Sequence, residues 1–154
     1  MKANELMSRE VFTCTKDDTL ETAARSMWEY DTGCLVVADP ENHAVGMITD
    51  RDIAMAAYTQ GAPLRDIRVE SAMAHEVKSC GPMSSLGEVE EVMRSARIRR
   101  MLVVDAGGKI VGLISLGDIA RSSQSSPLHA AAIPGVARTL AAVTEPRGLP
   151  IAAE

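Results

Sequence analysis

Apolar positions along this chain fall into short blocks of two kinds, and the order of the blocks recurs. Compact apolar runs at Val11–Cys14, Cys34–Ala38 and Val45–Ile48 predict strands, and equivalent runs stand at Val77–Cys80, Met101–Val104 and Ile110–Ile114. Between the first and second strand of each set the spacing becomes helical. Leu20, Ala23, Ala24, Met27 and Asp31 fall on one helical face, as do Leu86, Val89, Met93 and Ala96. The turn sequences Asp39-Pro40-Glu41-Asn42 and Asp105-Ala106-Gly107-Gly108 join the second and third strands into hairpins. A second helix then begins at Thr49 or Ser115, and Gly61-Ala62-Pro63 terminates the first of these.

The recurrence is a sequence repeat. At an offset of 66 residues, positions 7–54 lie over 73–120 without a gap, and 14 of the 48 pairs are identical, among them Met7/Met73, Cys14/Cys80, Met27/Met93, Gly46/Gly112 and Asp52/Asp118. The chain therefore divides into a first copy with its lead and linker over 1–66, a second copy over 67–121, and a tail over 122–154. Three strands and two helices cannot cover both faces of their own sheet. The predicted fold is accordingly α/β (α+β), two βαββα repeats related by a pseudo-twofold axis and packed through their sheets. In the tail, Ser122–Pro127 reads as a polar linker, followed by Pro-punctuated, Ala-rich stretches with a weak helix around Gly135–Val143; the remainder is mobile or docks on a partner.

The stretches Val45-Gly46-Met47-Ile48-Thr49-Asp50-Arg51-Asp52-Ile53 and Val111-Gly112-Leu113-Ile114-Ser115-Leu116-Gly117-Asp118-Ile119, with Ile98–Asp105 as a second-strand segment, resemble the cystathionine β-synthase (CBS) domain family over about residues 3–121. The resemblance implies a tandem CBS pair of the stand-alone type. It also implies a ligand containing adenosine, held by the hydroxyl and the Asp of Thr49/Asp52 and Ser115/Asp118.

Composition narrows the picture further. Apolar residues make up 46% of 154 and aromatics only 3%, so Val, Ile, Leu, Met and Ala must fill the core. The net charge is −5, with six basic and twelve acidic residues in 1–66 against seven of each in 67–120, which gives no reason to expect nucleic acid. No apolar run nears the roughly 18 residues that span a bilayer, and no signal peptide is evident, so the expectation is a cytoplasmic protein without a membrane partner. Cys14, Cys34 and Cys80 read as reduced thiols, and His43, His75 and His129 form no metal-ligand spacing with them.

At residue level, the repeated Thr49-x-x-Asp52 and Ser115-x-x-Asp118 stand where a strand feeds a helix. A hydroxyl beside unpaired N–H groups can hold phosphate, and a carboxylate one turn on can accept from ribose hydroxyls; phosphate with ribose means a nucleotide. The same spacing is equally a capping box that only satisfies the helix terminus. Guanidinium forks bind phosphate in a bidentate manner, and among the arginines the resemblance implies Arg100 as the phosphate candidate, because the family often carries a basic residue there. Arg94 and Arg97 read instead as cations on a solvated helix C-terminus. Copy one has Cys34 at the Arg100 position with Gly33 before it, and Arg51 where copy two has Gly117. Thr13 and Ser79 are read as polar groups lining the cleft between copies. In the family comparison, the backbones of Leu35, Val36, Met101 and Leu102 would read adenine, although the Pro common there is missing. Trp28 has no counterpart in the repeat and reads as a packing or dimer residue.

No Gly-rich phosphate loop, nucleophile elbow or His/carboxylate pair is present, so the chain reads as no enzyme and needs no cofactor. The expected function is a regulatory sensor of AMP, ADP or ATP that signals by a change of conformation or dimer interface, with S-adenosylmethionine or NAD as other ligands. The competing reading is a structural or interaction module without ligand. A homodimer is expected, with a further protein partner not encoded here.

Overall fold

The computed structural model describes residues 1–124 and 133–145. Its elements are α1 (Ala3–Leu6), β1 (Thr13–Cys14), α2 (Leu20–Glu29), β2 (Cys34–Ala38), β3 (Ala44–Thr49), α3 (Asp50–Gln60), β4 (Ser79–Cys80), α4 (Leu86–Ala96), β5 (Arg100–Val104), β6 (Ile110–Ser115), α5 (Leu116–Gln124) and α6 (Ile133–Thr144). They form two three-stranded sheets, ordered β1-β2-β3 and β4-β5-β6, in which the first pair is parallel and the second antiparallel. The two βαββα copies of mixed α/β structure are thus present as read from the repeat.

Some boundaries differ from the periodicity. The strands predicted from Val11 and Val77 shrink to two residues each, because only Thr13–Cys14 and Ser79–Cys80 find a partner strand. Asp31 does not continue α2: the helix ends at Glu29, and Asp31 takes φ +48°, as its counterpart Arg97 does at +51° after α4. At the end of α3 the predicted Gly61 adopts the left-handed conformation (φ +62°) that a Cβ disfavours. The proposed linker begins inside α5, which runs to Gln124, and the rest of Ser122–Pro127 lies outside the described residues. The weak tail helix is α6, longer than predicted at both ends.

Three apolar clusters hold the fold. Leu20, Ala23 and Met27 of α2 pack with Leu35, Val37 and Ile48 under copy one, and Val89, Met93, Met101, Val103, Ile114 and Ile119 do the same under copy two. The opposite sheet faces meet in a third cluster built on Val36, Leu102 and Ile110, flanked by Val11, Val77, Ala44, Met47 and Leu113. With the offset of 66, Val36 matches Leu102, Ala44 matches Ile110, Val11 matches Val77 and Met47 matches Leu113, so the layer lies about the pseudo-twofold axis. His43 marks the axis itself by bridging to Lys109, its own counterpart.

The copies also exchange their lead segments. Ala3 and Leu6 are buried in the core of copy two, whereas Ile67, Val69 and Met73 are buried in that of copy one. The backbone follows the same rule. Ser8 bridges to Leu113 of β6, and its counterpart Ala74 bridges to Met47 of β3. Gly46 makes this possible: a Cβ there would lie 2.7 Å from Met73 Sδ and 2.9 Å from the Ala74 carbonyl oxygen, and Gly112 is crowded in the same way by Met7.

Helix α6 packs against both α4 and α5. Val136 and Val143 join the copy-two core, Thr139 is fully buried, and its hydroxyl accepts from Arg94 at 3.2 Å. Arg97 reaches Glu145 at 2.8 Å. Arg94 is therefore half-buried against α6, a correction that follows from the tail folding back, whereas Arg97 stays exposed at the end of α4 while pairing with Glu145. Beneath the first turn of α6, Glu90 is buried, and its Oε1 has no hydrogen-bond partner among the described residues. Burial holds its carboxyl above the ordinary glutamate range, against the opposing pull of Arg94 and Arg138.

Two outcomes are expected. Gly46→Ala should lower stability by about 1–3 kcal/mol in urea unfolding, because the Ala74 carbonyl cannot move aside; Gly81→Ala, with nothing within 4 Å, should cost far less. Glu90, with a folded pKa above its unfolded value, destabilises the fold when ionised. Its penalty is absent below the ordinary glutamate pKa of about 4.3 and grows as pH rises past it. Glu90→Met should therefore raise the melting temperature at pH 7 and change it little at pH 4.

Candidate functional site

The strand-to-helix junctions are built alike. In each antiparallel ladder Cys34 pairs with Thr49 and Arg100 with Ser115, so the start of the second strand lies beside the start of the closing helix. The amide of Asp50 donates to the Gly33 carbonyl, and that of Leu116 donates to the Arg99 carbonyl. Gly33, Cys34, Thr49 and Asp52 thus gather in copy one, and Arg100, Ser115 and Asp118 in copy two.

Both junctions are capped. Thr49 Oγ1 donates to Asp52 Oδ2 at 2.7 Å, the Thr49 amide donates to the same oxygen at 2.9 Å, and the Asp52 amide donates back to Thr49 Oγ1 at 3.3 Å. Ser115 and Asp118 repeat the pattern at 2.6, 2.7 and 3.2 Å. The capping reading of the motif is realised, with one carboxylate oxygen used in each copy.

The second oxygens differ. Asp52 Oδ1 has no partner among the described residues, whereas Asp118 Oδ1 accepts from Arg121. Gly117 permits this, because the Arg121 guanidinium lies 3.2 Å from where a Cβ at 117 would stand. Copy two thus carries its cation one turn later than Arg51 of copy one. Arg121 escaped the sequence reading, although its i+3 spacing from Asp118 was there to be noticed.

The helix N-termini differ as well. In copy one the amides of Asp50, Arg51 and Asp52 donate to Gly33 O, Asp50 Oδ1 and Thr49 Oγ1, so the first turn is satisfied internally. Copy two has Leu116 in place of Asp50, and the Gly117 amide has no acceptor among the described residues. Arg100 connects the two junctions: its guanidinium stands 3.2 Å from the position of a Cβ on Gly33, with the Asp50 carboxylate at 3.2 Å from the same point. Burial raises the Cys34 thiol above its usual range, partly offset by the nearby Arg100 charge.

The other predicted residues fall in three settings. The side chains of Leu35, Val36, Met101 and Leu102 are buried, and only their backbones could meet a ligand. Thr13 and Ser79 are exposed on the short strands β1 and β4, and Arg51 is exposed with its guanidinium unpaired among the described residues. Cys14 is buried, with its thiol pushed up to about 12 by burial and by Asp18. One cavity borders the copy-one junction and a second lies away from both junctions. The first, of about 530 Å³, lies between α2 and α3 and touches Gly33 and Asp50. The other, of about 640 Å³, lies beside β4 and touches Ser79.

Comparison with known proteins places these features in context. The family model described as the CBS domain matches residues 3–58 and again 64–125. The CBS domain-containing protein YhcV of Bacillus subtilis is 31% identical over 134 residues, covering 86% of this chain and 92% of its own length. An uncharacterized 17.7 kDa protein of Acidianus ambivalens is 31% identical over 121 residues, covering 79% and 72%. Among solved structures, an uncharacterized conserved protein from Pyrococcus horikoshii superposes with a TM-score of 0.73 at 30% identity, over 81% of this chain and 93% of that one. The CBS domain pair of protein MJ0100, solved with 5′-methylthioadenosine and S-adenosyl-L-methionine, shares the fold at a TM-score of 0.72 and 23% identity, over 79% and 94%.

Removing the cap hydroxyls should cost stability in both copies. Thr49→Ala and Ser115→Ala are each expected to lower the unfolding free energy by about 0.5–2 kcal/mol in urea titrations. Equal losses are expected, since the cap distances match.

Proposed function

Because this chain belongs to the CBS domain family, carrying two copies of the domain over residues 3–58 and 64–125, we propose that it is a regulatory sensor that binds an adenine nucleotide between its copies. AMP, ADP and ATP are the ligands of choice, and copy two supplies the phosphate end. The observation that carries this reading is the inequality of the two junctions. At copy two an anion meets the open Gly117 amide and the Arg121 guanidinium beside the Ser115–Asp118 cap, while the Arg100 guanidinium stands at the boundary with copy one, next to Gly33 and Asp50. At copy one it meets the Asp50 and Asp52 carboxylates, with Arg100 reaching over beside Gly33, and a helix terminus with no amide to spare.

Copy one suits a different part of a ligand. Its open Asp52 Oδ1 can accept from a ribose hydroxyl, and two acids favour a neutral or cationic group over a phosphate. A nucleoside or S-adenosylmethionine fits that junction better than AMP. The shared fold of MJ0100, which holds such molecules, supports this assignment only at the level of architecture. A homodimer is the proposed signalling unit, with ligand binding biasing how two chains meet. No catalytic step is assigned to the chain.

A second reading is favoured by the two complete capping boxes, which satisfy Thr49/Asp52 and Ser115/Asp118 without any ligand. On that reading the protein is an interaction module.

Calorimetric titration with AMP and ATP separates the readings. Heat is expected for the wild type, and Arg100→Gln should weaken binding by about tenfold or more, the equivalent of one charge-assisted contact. Asp52→Ala should weaken binding of AMP less than Arg100→Gln does. No heat and no thermal shift at millimolar nucleotide would sink the sensor in favour of the interaction module.

A further inference from the structure

Among the described residues Glu90 of α4 is the only buried carboxylic acid, 7% exposed, and neither junction makes use of it. A carboxylate so placed needs donors. Its Oε1 has none. The cover over it is the first turn of α6: a Cβ on Gly135 would stand 2.8 Å from Glu90 Oε2 and 3.0 Å from Oε1, so the bare Gly135 backbone lies directly against the carboxyl. A helix N-terminus ordinarily offers amides to an acid at this place, but Pro134 has no N–H to give.

The charged neighbours leave Glu90 unpaired as well. Those that act on it are Arg94 of α4 and Arg138 of α6, and α5 and β5 add none among the described residues. Both arginines favour the ionised form, yet burial outweighs them and holds the carboxyl above the ordinary glutamate range. Arg94 is committed elsewhere: its guanidinium donates to Thr139 Oγ1 at 3.2 Å and to Glu91 Oε2 at 2.6 Å. Arg138 is exposed, and no ion pair joins it to Glu90 among the described residues. In copy one the counterpart of Glu90, at the offset of 66, is Ala24, beside an open groove. The acid therefore belongs to the copy whose outer face is covered.

We propose that α6 is a proton-controlled strap, docked on α4 and α5 while Glu90 is protonated and released as that proton leaves, with the rest of the fold intact. A helix of 12 residues is marginal by itself and owes its place to packing, here that of Val136, Thr139 and Val143. An ionised Glu90 must regain water, and it does so at least cost by displacing the short helix above it and not the sheet below. Release also removes the brace from α5, the helix whose first turn holds the open Gly117 amide. The strap itself does not depend on nucleotide binding.

The sign follows from where the proton is held more tightly. In the released state Glu90 meets water, so its proton is bound more tightly when α6 is docked. Docking is fully present below the ordinary glutamate pKa of about 4.3 and is lost as pH rises above it, by up to about tenfold in the docking equilibrium per pH unit, the limit for one proton.

Pulse-labelled amide hydrogen exchange on the full chain without nucleotide tests this, run from about pH 5 to about pH 8 with each rate divided by the intrinsic rate at that pH. In the wild type, protection of residues 133–145 is expected to fall as pH rises, while that of the core strands β2 and β5 stays constant. Glu90→Gln keeps the shape without the charge, and protection of 133–145 should then be flat with pH; Glu90→Met should be flat too. Glu145→Gln removes the surface pair with Arg97, so it should lower the protection of α6 and keep the pH dependence. Circular dichroism at both ends of the range checks that each variant is folded. A flat wild-type profile, a slope that survives in Glu90→Gln or vanishes in Glu145→Gln, or a loss of protection shared by β2 and β5 overturns the strap.

Discussion

The structure depends on one apolar layer that neither half can complete alone. Each sheet buries one face under its own helices, and the other face, carrying Val36 and Met47 or Leu102 and Leu113, finds cover only on its twin. Burial of apolar surface is the dominant favourable term in folding, so the copies cannot separate without exposing this layer. The exchange of Ala3–Leu6 and Ile67–Met73 extends the same dependence from the sheets to the helical cores. One pseudo-twofold unit results, with His43 bridging to Lys109 at its centre.

On this symmetric frame the side chains are free to differ, and they do so where chemistry would matter. Backbone pairings repeat residue for residue, down to the bridges Lys2 to Ser85 and Thr19 to Arg68. By contrast, Asp50 faces Leu116 across the axis of equivalence, Arg51 faces Gly117, Cys34 faces Arg100 and Met55 faces Arg121. The first helix turn of copy one is closed by its own side chains, while that of copy two keeps an amide open beside the Arg121 guanidinium. The outer faces diverge on the same principle: Ala24 and Trp28 leave a groove, whereas Glu90 lies under α6 and Arg94 bonds to it.

The repeat made the fold legible. An ungapped offset of 66 placed every strand and the four main helices, because apolar periodicity and turn residues agree within each copy. Thr49/Asp52 and Ser115/Asp118 were legible for a related reason, as a cap requires a hydroxyl three residues before its acid. What could not be read was whatever depends on distance through space. The four-residue α1 is too short to carry a period, and its place in the other copy's core has no local signature. Arg100 reaching Gly33, Arg121 reaching Asp118 and the tail folding onto Arg94 and Arg97 are likewise products of the closed fold.

The exchanged lead segments have a consequence for the order in which the molecule can be made. Residues 1–7 leave the ribosome well before the surface that receives them, around Ser84, Leu86 and Leu113. Copy one in turn lacks Ile67, Val69 and Met73 until residue 73 has been added. Neither sheet can cover its inner face until the other copy has emerged, and residues 1–7 wait unpaired until then. Contacts so distant along the chain slow folding and raise contact order. The layer between the sheets of the nascent protein therefore stays open until the second copy emerges.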